Sequence, residues 1–200
     1  MAFLKKPRTM DRRALLRLAP ALLCFAQVLA PAPSHAQSAS EETARAVLQS
    51  QVMAASLFRF LPYVEWPQEA LPPGAPYVIA VMGADAIADE LAAVVASRTL
   101  DDRAVNVRRL RPGESLDGVH AVFIGAKAGA RQLPPRGKRL PVLVVTDADG
   151  ALDQGSMINF RLVDGRVRFE VALDTLEEAG LKASSRMLGV ALQVRKTPSR

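Results

Sequence analysis

The acidic residues most suggestive of chemistry follow a short apolar run, at Asp147, Asp149 and Asp153, with Gly150 among them. Carboxylates at alternate positions before a glycine are typical of calcium loops, which also need a glutamate at the twelfth position. The twelfth position counted from Asp147 is Ile158, so the cluster predicts a polar turn after a strand. A carboxylate pair is also what glycosidases use, and Asp147 with Asp149 is the conspicuous pair here. We predict no metal site and no cofactor.

A serine nucleophile is the second chemical possibility, offered by Ser184-Ser185-Arg186 with the arginine as an anion binder. A hydrolase of this kind needs a base beside the serine, and His120 is the histidine that a mature chain would retain. His120 precedes a predicted buried strand, where a structural role is the commoner one. Ser184 is well placed to cap the last helix. We therefore predict no catalytic residue and a protein that is not an enzyme.

Four of the ten aromatic residues lie within nine positions, at Phe58, Phe60, Tyr63 and Trp66. Aromatic side chains bury large areas, so most of these are expected to dock a helix onto the core. Trp66 lies between a glutamate and a proline and is the one best placed to line a surface groove. This segment is therefore the first candidate for contact with a partner or ligand.

These aromatic residues end a long predicted helix. Apolar residues recur at intervals of three and four from Ala46 to Leu61, which is the spacing of one helix face. Ser40 resembles an N-cap because two glutamates follow it, and Pro62 is expected to end the helix.

Beyond a proline-rich loop, short apolar runs alternate with helical segments. Strands are predicted over 77–82, 104–110, 120–124 and 142–145, with helices over 84–97, 127–132, 173–179 and 184–193. Asp164-Gly165 between Met157–Val163 and Arg166–Val171 predicts a hairpin. Alternating strands and helices indicate βαβ units. The predicted fold class is α/β, a single three-layer domain with a mostly parallel sheet of five to six strands, helices on both faces, a C-terminal β-hairpin and a core over 46–194.

Residues 1–36 have the layout of a secretory signal peptide. Six basic residues precede an apolar run over 18–30, and Ser34-His35-Ala36 forms a small-x-small cleavage site. An apolar run of about 13 residues is too short to span a bilayer, which needs roughly 20. We expect cleavage after Ala36, a periplasmic location, and a mature domain over 37–200 that is not embedded in the membrane.

Cleavage changes both the charge and the cysteine content. The formal charge of +6 falls to about +1, because six basic residues and one aspartate leave with the signal. The basic character of the chain therefore belongs to the export signal and does not indicate nucleic-acid binding. Cys24 also leaves, so the mature chain would form no disulfide of its own in an oxidising compartment.

Several ordered segments resemble the YfiR family of periplasmic proteins. They are Leu57–Pro67, Ala121–Ala126, Val142–Asp147, Gly155–Phe160, Asp164–Val171 and Ala179–Leu188. The resemblance spans roughly Val52 to Val194. It implies a non-catalytic α/β domain that binds and represses the periplasmic sensor domain of an inner-membrane signalling protein, a diguanylate cyclase, and so controls cyclic-di-GMP and biofilm formation. Cysteines tune this switch in the best-known members, and a mature chain without cysteine departs from that pattern.

An alternative remains open alongside this hypothesis: a periplasmic small-molecule binding protein, or an accessory protein for a sensor kinase or uptake system. Its physical basis is the crevice that α/β sheets form at a topological switch point. A homodimer is compatible with either function. The candidate partner- or ligand-binding residues are Tyr63, Glu65, Trp66 and Arg186.

Four further residues are expected to be structural features of the signature segments: Asn159, Glu170, Ser184 and Ser185. We expect a buried ion pair between Glu170 and Arg186, because a buried charge needs a partner. The alternative is that Arg186 binds an anionic ligand.

Overall fold

The computed structural model describes residues 35–134 and 140–196. Residues from Glu42 onward form a compact unit of their own. The predicted signal peptide lies outside the described residues except for its last two, and Cys24 lies outside them as well. All the strands described below belong to Glu42–Arg200.

Helix α1 covers His35–Phe60 and passes into a single 3₁₀ turn over Leu61–Tyr63. The predicted start at Ser40 is wrong, because the helix already includes that residue. No glycine or proline interrupts the sequence between Pro33 and Pro62, so nothing in the backbone stops the helix from continuing past Ser40. The end of the α-helix beside Pro62 is confirmed.

The remaining elements follow in chain order. The strands are β1 (Val64–Glu65), β2 (Tyr77–Met82), β3 (Val105–Leu110), β4 (Ala121–Ile124), β5 (Leu143–Thr146), β6 (Ile158–Val163), β7 (Arg166–Ala172), β8 (Lys182–Ala183) and β9 (Gln193–Arg195). The helices are α2 (Asp85–Val95), α3 (Leu173–Glu178) and α4 (Ser185–Val190).

One seven-stranded sheet forms the centre of the fold, in the order β3-β2-β4-β5-β6-β7-β9. Neighbouring strands from β3 to β6 are parallel, β6 and β7 are antiparallel, and β9 is parallel to β7. Every residue of β4 and β5 is buried, as expected for strands that are covered on both faces. The predicted α/β class and mostly parallel sheet are confirmed, and the sheet is larger than the five to six strands predicted.

The hairpin predicted at Asp164-Gly165 is confirmed. Both turn residues have positive φ, 49° for Asp164 and 72° for Gly165, which a two-residue type I′ turn requires. The register pairs Val163 with Arg166 and Phe160 with Phe169.

The C-terminal segment differs from the predicted helix over 184–193. Helix α4 ends at Val190, and β9 adds a strand to the edge of the sheet. The amide of Leu192 donates to the Phe169 carbonyl at 2.7 Å. The open edge of β7 offers backbone groups that need partners, and pairing with them outweighs helix propensity over these few residues. Strands β1 and β8 were not predicted either, since two residues each are too few to show alternation.

The end of α1 packs against one face of the sheet through aromatic rings. Phe60 stacks on Phe160 at 5.8 Å between ring centroids and meets Phe169 edge-on at 5.0 Å. Phe58 and Phe60 are both buried. The prediction that aromatic residues dock the first helix on the core is confirmed for these two, and this contact brings the Tyr63 segment next to β7.

Candidate functional site

The backbone at Tyr63 is held in place by the small β1–β8 sheet. Glu65 of β1 lies opposite Lys182 of β8. The amide of Ser184, the residue that follows β8, donates to the Tyr63 carbonyl at 2.8 Å. The Ser184 hydroxyl accepts a hydrogen bond from the Met187 amide at 3.4 Å, so Ser184 is the N-cap of α4. The end of α1 and the start of α4 are thereby fixed side by side.

An open groove of about 600 Å³ lies between the end of α1, α4 and β7. We call it the α1–α4 groove. Its apolar lining includes Phe58, Phe169 and Met187, and Tyr63 stands at its wall with 37% of its surface exposed. Aromatic and sulfur-containing side chains of this kind form the binding surfaces of many protein pockets.

Two arginines face the same groove. Arg59, near the end of α1, and Arg186, in the first turn of α4, both line it and are exposed. Among the described residues, neither has an ion-pair partner. Guanidinium groups bind carboxylates and phosphates through paired hydrogen bonds. The groove is therefore suited to a molecule or protein segment that combines negative charge with an apolar group.

The predicted contact residues fall into two groups. Tyr63 and Arg186 share the α1–α4 groove, as described above. Trp66 does not line it: its indole Nε1 donates to the His120 carbonyl at 3.3 Å, and its ring meets the Tyr77 ring edge-on at 5.8 Å. Glu65 is exposed on β1. The segment therefore divides, with Tyr63 facing the groove and Trp66 half-buried against the start of the sheet.

His120 is a buried structural residue. Its Nδ1 accepts a hydrogen bond from the Val78 amide at 3.0 Å, and its Nε2 lies 3.0 Å from the Ala70 carbonyl. A ring that accepts at Nδ1 and donates at Nε2 is neutral. Burial lowers the pKa of His120 below its ordinary value, and the positive charge of Arg103 lowers it further, whereas the hydrogen bond to Ala70 opposes both effects. Both ring nitrogens are occupied by backbone groups, so no basic nitrogen is left for a serine.

Asn159 belongs to a buried polar network between β5 and β6. The Thr146 hydroxyl donates to Asn159 Oδ1 at 2.7 Å and lies 2.9 Å from the Ser156 hydroxyl. Ser156 in turn donates to the Ile158 carbonyl at 2.7 Å. All three polar side chains are at most 2% exposed. The network satisfies the polar groups that the sheet encloses at this point.

The expected buried pair between Glu170 and Arg186 is not formed. Glu170 and Phe169 are successive residues of β7 and point to opposite faces of the sheet. Arg186 shares the groove with Phe169, whereas Glu170 lies with Asn159 in a separate small cleft. Arg186 is exposed, so water replaces the carboxylate that a buried guanidinium would need. Ser185 is the exposed first residue of α4.

The acidic cluster after β5 is divided among separate partners. Asp147 accepts a hydrogen bond from the Ala126 amide at 2.6 Å, Asp149 pairs with Arg161, and Asp153 pairs with Arg195. Burial raises the pKa of Asp147, and the hydrogen bond from Ala126 opposes that rise. Within residues 35–134 and 140–196, no three His, Cys, Asp or Glu side chains come together as a metal site.

The switch point of the sheet is closed by backbone. It lies where β3 and β4 flank β2, beside the loops that follow β2 and β4. A Cβ atom on Gly125 would lie 2.8 Å from the Gly83 carbonyl oxygen, and one on Gly83 would lie 2.7 Å from the Ala128 Cβ. These distances are shorter than van der Waals contact, so the two loops leave no room for a ligand between them. The crevice expected for a small molecule is therefore not at this position.

The groove residues that were not among the predicted contacts include Arg59, Phe169 and Met187. The sequence does contain an indication for Arg59, because a cation next to Phe58 at the end of an amphipathic helix could have been proposed as a contact residue. It contains no such indication for Phe169 and Met187. Each is an ordinary apolar residue of a strand or helix, and only the packing of α1 on β7 places it in the groove.

Comparison with known proteins identifies the family of the chain. A model of the family described as YfiR/HmsC-like matches residues 50–192, which contain β1 to β8 and α2 to α4. A search of curated proteins found no match. No helix in the described part of the chain combines the length and apolarity needed to cross a bilayer. The match covers well over half of the 200 residues, and the chain belongs to the YfiR/HmsC-like family.

Proposed function

We propose that this protein is a periplasmic, non-catalytic regulator that binds and represses the periplasmic sensor domain of an inner-membrane diguanylate cyclase. The family match is the observation that carries the proposal, because YfiR/HmsC-like membership supports a periplasmic regulatory role toward diguanylate cyclases at the level of the family. Repression would lower cyclic-di-GMP and biofilm formation. The export signal expected over residues 1–36 supports the location.

The α1–α4 groove supplies a surface on which such a partner can bind. It combines an apolar lining with two arginines that have no carboxylate partner among the described residues. Protein interfaces gain most of their affinity from aromatic and arginine side chains at the centre of a patch. A segment of the sensor domain with a carboxylate beside an apolar side chain has the matching chemistry.

The contacts of the residues considered as catalytic candidates also support a non-catalytic role. His120 uses both ring nitrogens on backbone groups, and the Ser184 hydroxyl caps α4. His120 precedes β4, whereas Asp147 follows β5, so they lie at opposite ends of two neighbouring parallel strands. The groups proposed for hydrolysis do not converge.

Deletion of the gene, followed by measurement of cyclic-di-GMP and surface attachment, tests the proposal. Both quantities should rise, and the wild-type gene should restore them. The double variant Arg59→Glu/Arg186→Glu should fail to restore them because it repels an acidic partner. The matched control Arg98→Glu/Arg111→Glu reverses two exposed arginines that do not line the groove and should restore repression. Unchanged cyclic-di-GMP after deletion, with the partner cyclase expressed, contradicts the proposal.

The dimensions of the groove favour small-molecule binding as a second candidate function. Its volume of about 600 Å³ lies within the roughly 300–1,000 Å³ that is usual for small ligands. A thermal-shift screen of periplasmic metabolites should then find an anionic, partly apolar compound that raises the melting temperature. Such a shift should be lost in Arg59→Glu/Arg186→Glu and kept in Arg98→Glu/Arg111→Glu. A negative result over a broad panel argues against this candidate.

A further inference from the structure

Three exposed aliphatic side chains lie at or beside the free end of the β6–β7 hairpin. Leu162 is 56% exposed and Val163 is 36% exposed, and Leu192, just before β9, is 42% exposed. Large apolar side chains that gather at one place on a surface mark a contact site more often than scattered ones do. This end of the sheet lies apart from the α1–α4 groove, whose lining contains none of the three.

Two arginines that form no ion pair with the described residues lie on the face of the hairpin that carries Val163, opposite to the face of Leu162. The register places Arg168 directly opposite Arg161 across the hairpin, and like charges in that position destabilise a strand pair. Asp149 neutralises Arg161 through an ion pair at 2.5 Å. Arg166 and Arg168 are exposed, and in the described part of the chain neither has an ion-pair partner.

The two arginines and two of the aliphatic side chains line one cleft. It has a volume of about 390 Å³ and is bounded by Val163, Asp164, Arg166, Arg168 and Leu192. Guanidinium groups bind phosphate oxygens in a planar, paired geometry. The Asp164 carboxylate offsets one of the two positive charges, so the cleft suits a singly charged phosphodiester better than a multiply charged anion.

The shape of the hairpin end indicates the kind of surface that it meets. A two-residue turn at Asp164-Gly165 joins the strands, so the end of the hairpin is narrow. A stable protein interface buries about 800 Å² on each partner, which is more than a narrow tip presents. The headgroup region of a bilayer accepts apolar side chains flanked by cations without needing a matching concave surface.

We propose that the end of the β6–β7 hairpin binds the surface of an anionic phospholipid membrane. Arg166 and Arg168 hold the phosphodiester of a headgroup in the cleft, and Val163 and Leu192, which line the same cleft, enter the interfacial layer. This contact is distinct from the groove proposed for the regulatory partner, and either proposal stands without the other.

A flotation assay with lipid vesicles tests the proposal. The protein is purified from the periplasm, so that its N-terminus is the one that cells produce. The protein should float with phosphatidylcholine vesicles that contain about one quarter phosphatidylglycerol and not with pure phosphatidylcholine, and added salt should weaken binding. The double variant Arg166→Glu/Arg168→Glu should bind at least about tenfold more weakly, since each arginine near an anionic surface contributes roughly fivefold.

Matched variants separate a local contact from a change in net charge or folding. Arg98→Glu/Arg111→Glu alters the charge equally and should bind within about threefold of wild type. Leu192→Ser should weaken binding, whereas Leu48→Ser, at a side chain that is 64% exposed on α1, should not. Three results would overturn the membrane assignment. The first is equal binding to both vesicle types, and the second is an equal loss of vesicle binding in the two double arginine variants. The third is saturable binding of inorganic phosphate without any binding to vesicles.

Discussion

At the scale of single residues, the side chains that looked chemical are structural ones. His120 connects the loop at Ala70 to the start of β2 through its two ring nitrogens. Asn159 completes a buried network with Thr146 and Ser156. Buried polar groups are costly unless they are paired, and this requirement accounts for both residues without any catalytic role.

The hydrogen bonds of His120 predict that acid destabilises the fold. The folded protein holds the ring neutral, and its pKa lies below the ordinary value of 6.5. As the pH falls, the unfolded chain binds a proton first. The stabilising contribution of the neutral ring is therefore complete above the unfolded pKa and is lost as the pH falls through the folded one. The free energy of unfolding in urea should decrease between about pH 7.5 and about pH 5.

The variant His120→Gln isolates this contribution from that of other titrating groups. It should be less stable than wild type by about 1–3 kcal/mol at neutral pH, because backbone groups of Val78 and Ala70 lose their partner. The difference between the two proteins should narrow at acid pH, where only the wild type binds the additional proton on unfolding. A difference that stays constant with pH would contradict the assigned hydrogen bonds.

At the scale of elements, the loops after β2 and β4 determine where a ligand can bind. Gly83 and Gly125 allow these loops to touch, which fills the switch point with backbone. In contrast to these closed loops, the packing of α1 on β7 through aromatic side chains leaves an open groove beside α4. The candidate binding surface therefore lies toward one edge of the sheet and not at its centre.

Gly125→Ala tests the closed loops. Its Cβ would lie 2.8 Å from the Gly83 carbonyl oxygen, and overpacking of this kind costs about 1–3 kcal/mol. Gly189→Ala is a matched control, because neither Gly189 nor Gly125 has a positive φ. Unlike Gly125, Gly189 has no atom within 4 Å of an added Cβ. Gly189→Ala should leave stability unchanged or raise it by about 0.5–1 kcal/mol, since alanine favours helix α4. Similar urea midpoints for the two variants would show that the loops do not touch.

At the scale of the whole molecule, the predicted export signal contains Cys24. The chain has a single cysteine, and we predict that it leaves with residues 1–36. Mass spectrometry of the periplasmic protein should find Gln37 at the N-terminus. A reductant should not shift the urea midpoint of that protein, because a chain without Cys24 cannot form a disulfide-linked dimer. A mass that includes Cys24, or a shifted midpoint, would contradict the prediction.

The sequence alone predicted those features that depend on local pattern. The strands of the parallel sheet were predicted within one or two residues because buried strands are short apolar runs bounded by breakers. The Asp164-Gly165 turn followed from the positive φ that such turns need. The family was also recognisable from ordered segments, and the match over residues 50–192 agrees with it.

Only the tertiary structure decided which residues meet. β9 pairs because the edge of β7 is open, and Trp66 turns toward His120 and away from the groove. Glu170 and Arg186 lie on opposite faces because strand alternation separates Glu170 from Phe169. Each of these outcomes depends on contacts between residues far apart in the chain. A sequence pattern indicates how one segment is buried. A binding site depends on which faces of several segments lie together, and in this protein the packing of α1 on β7 determines that arrangement.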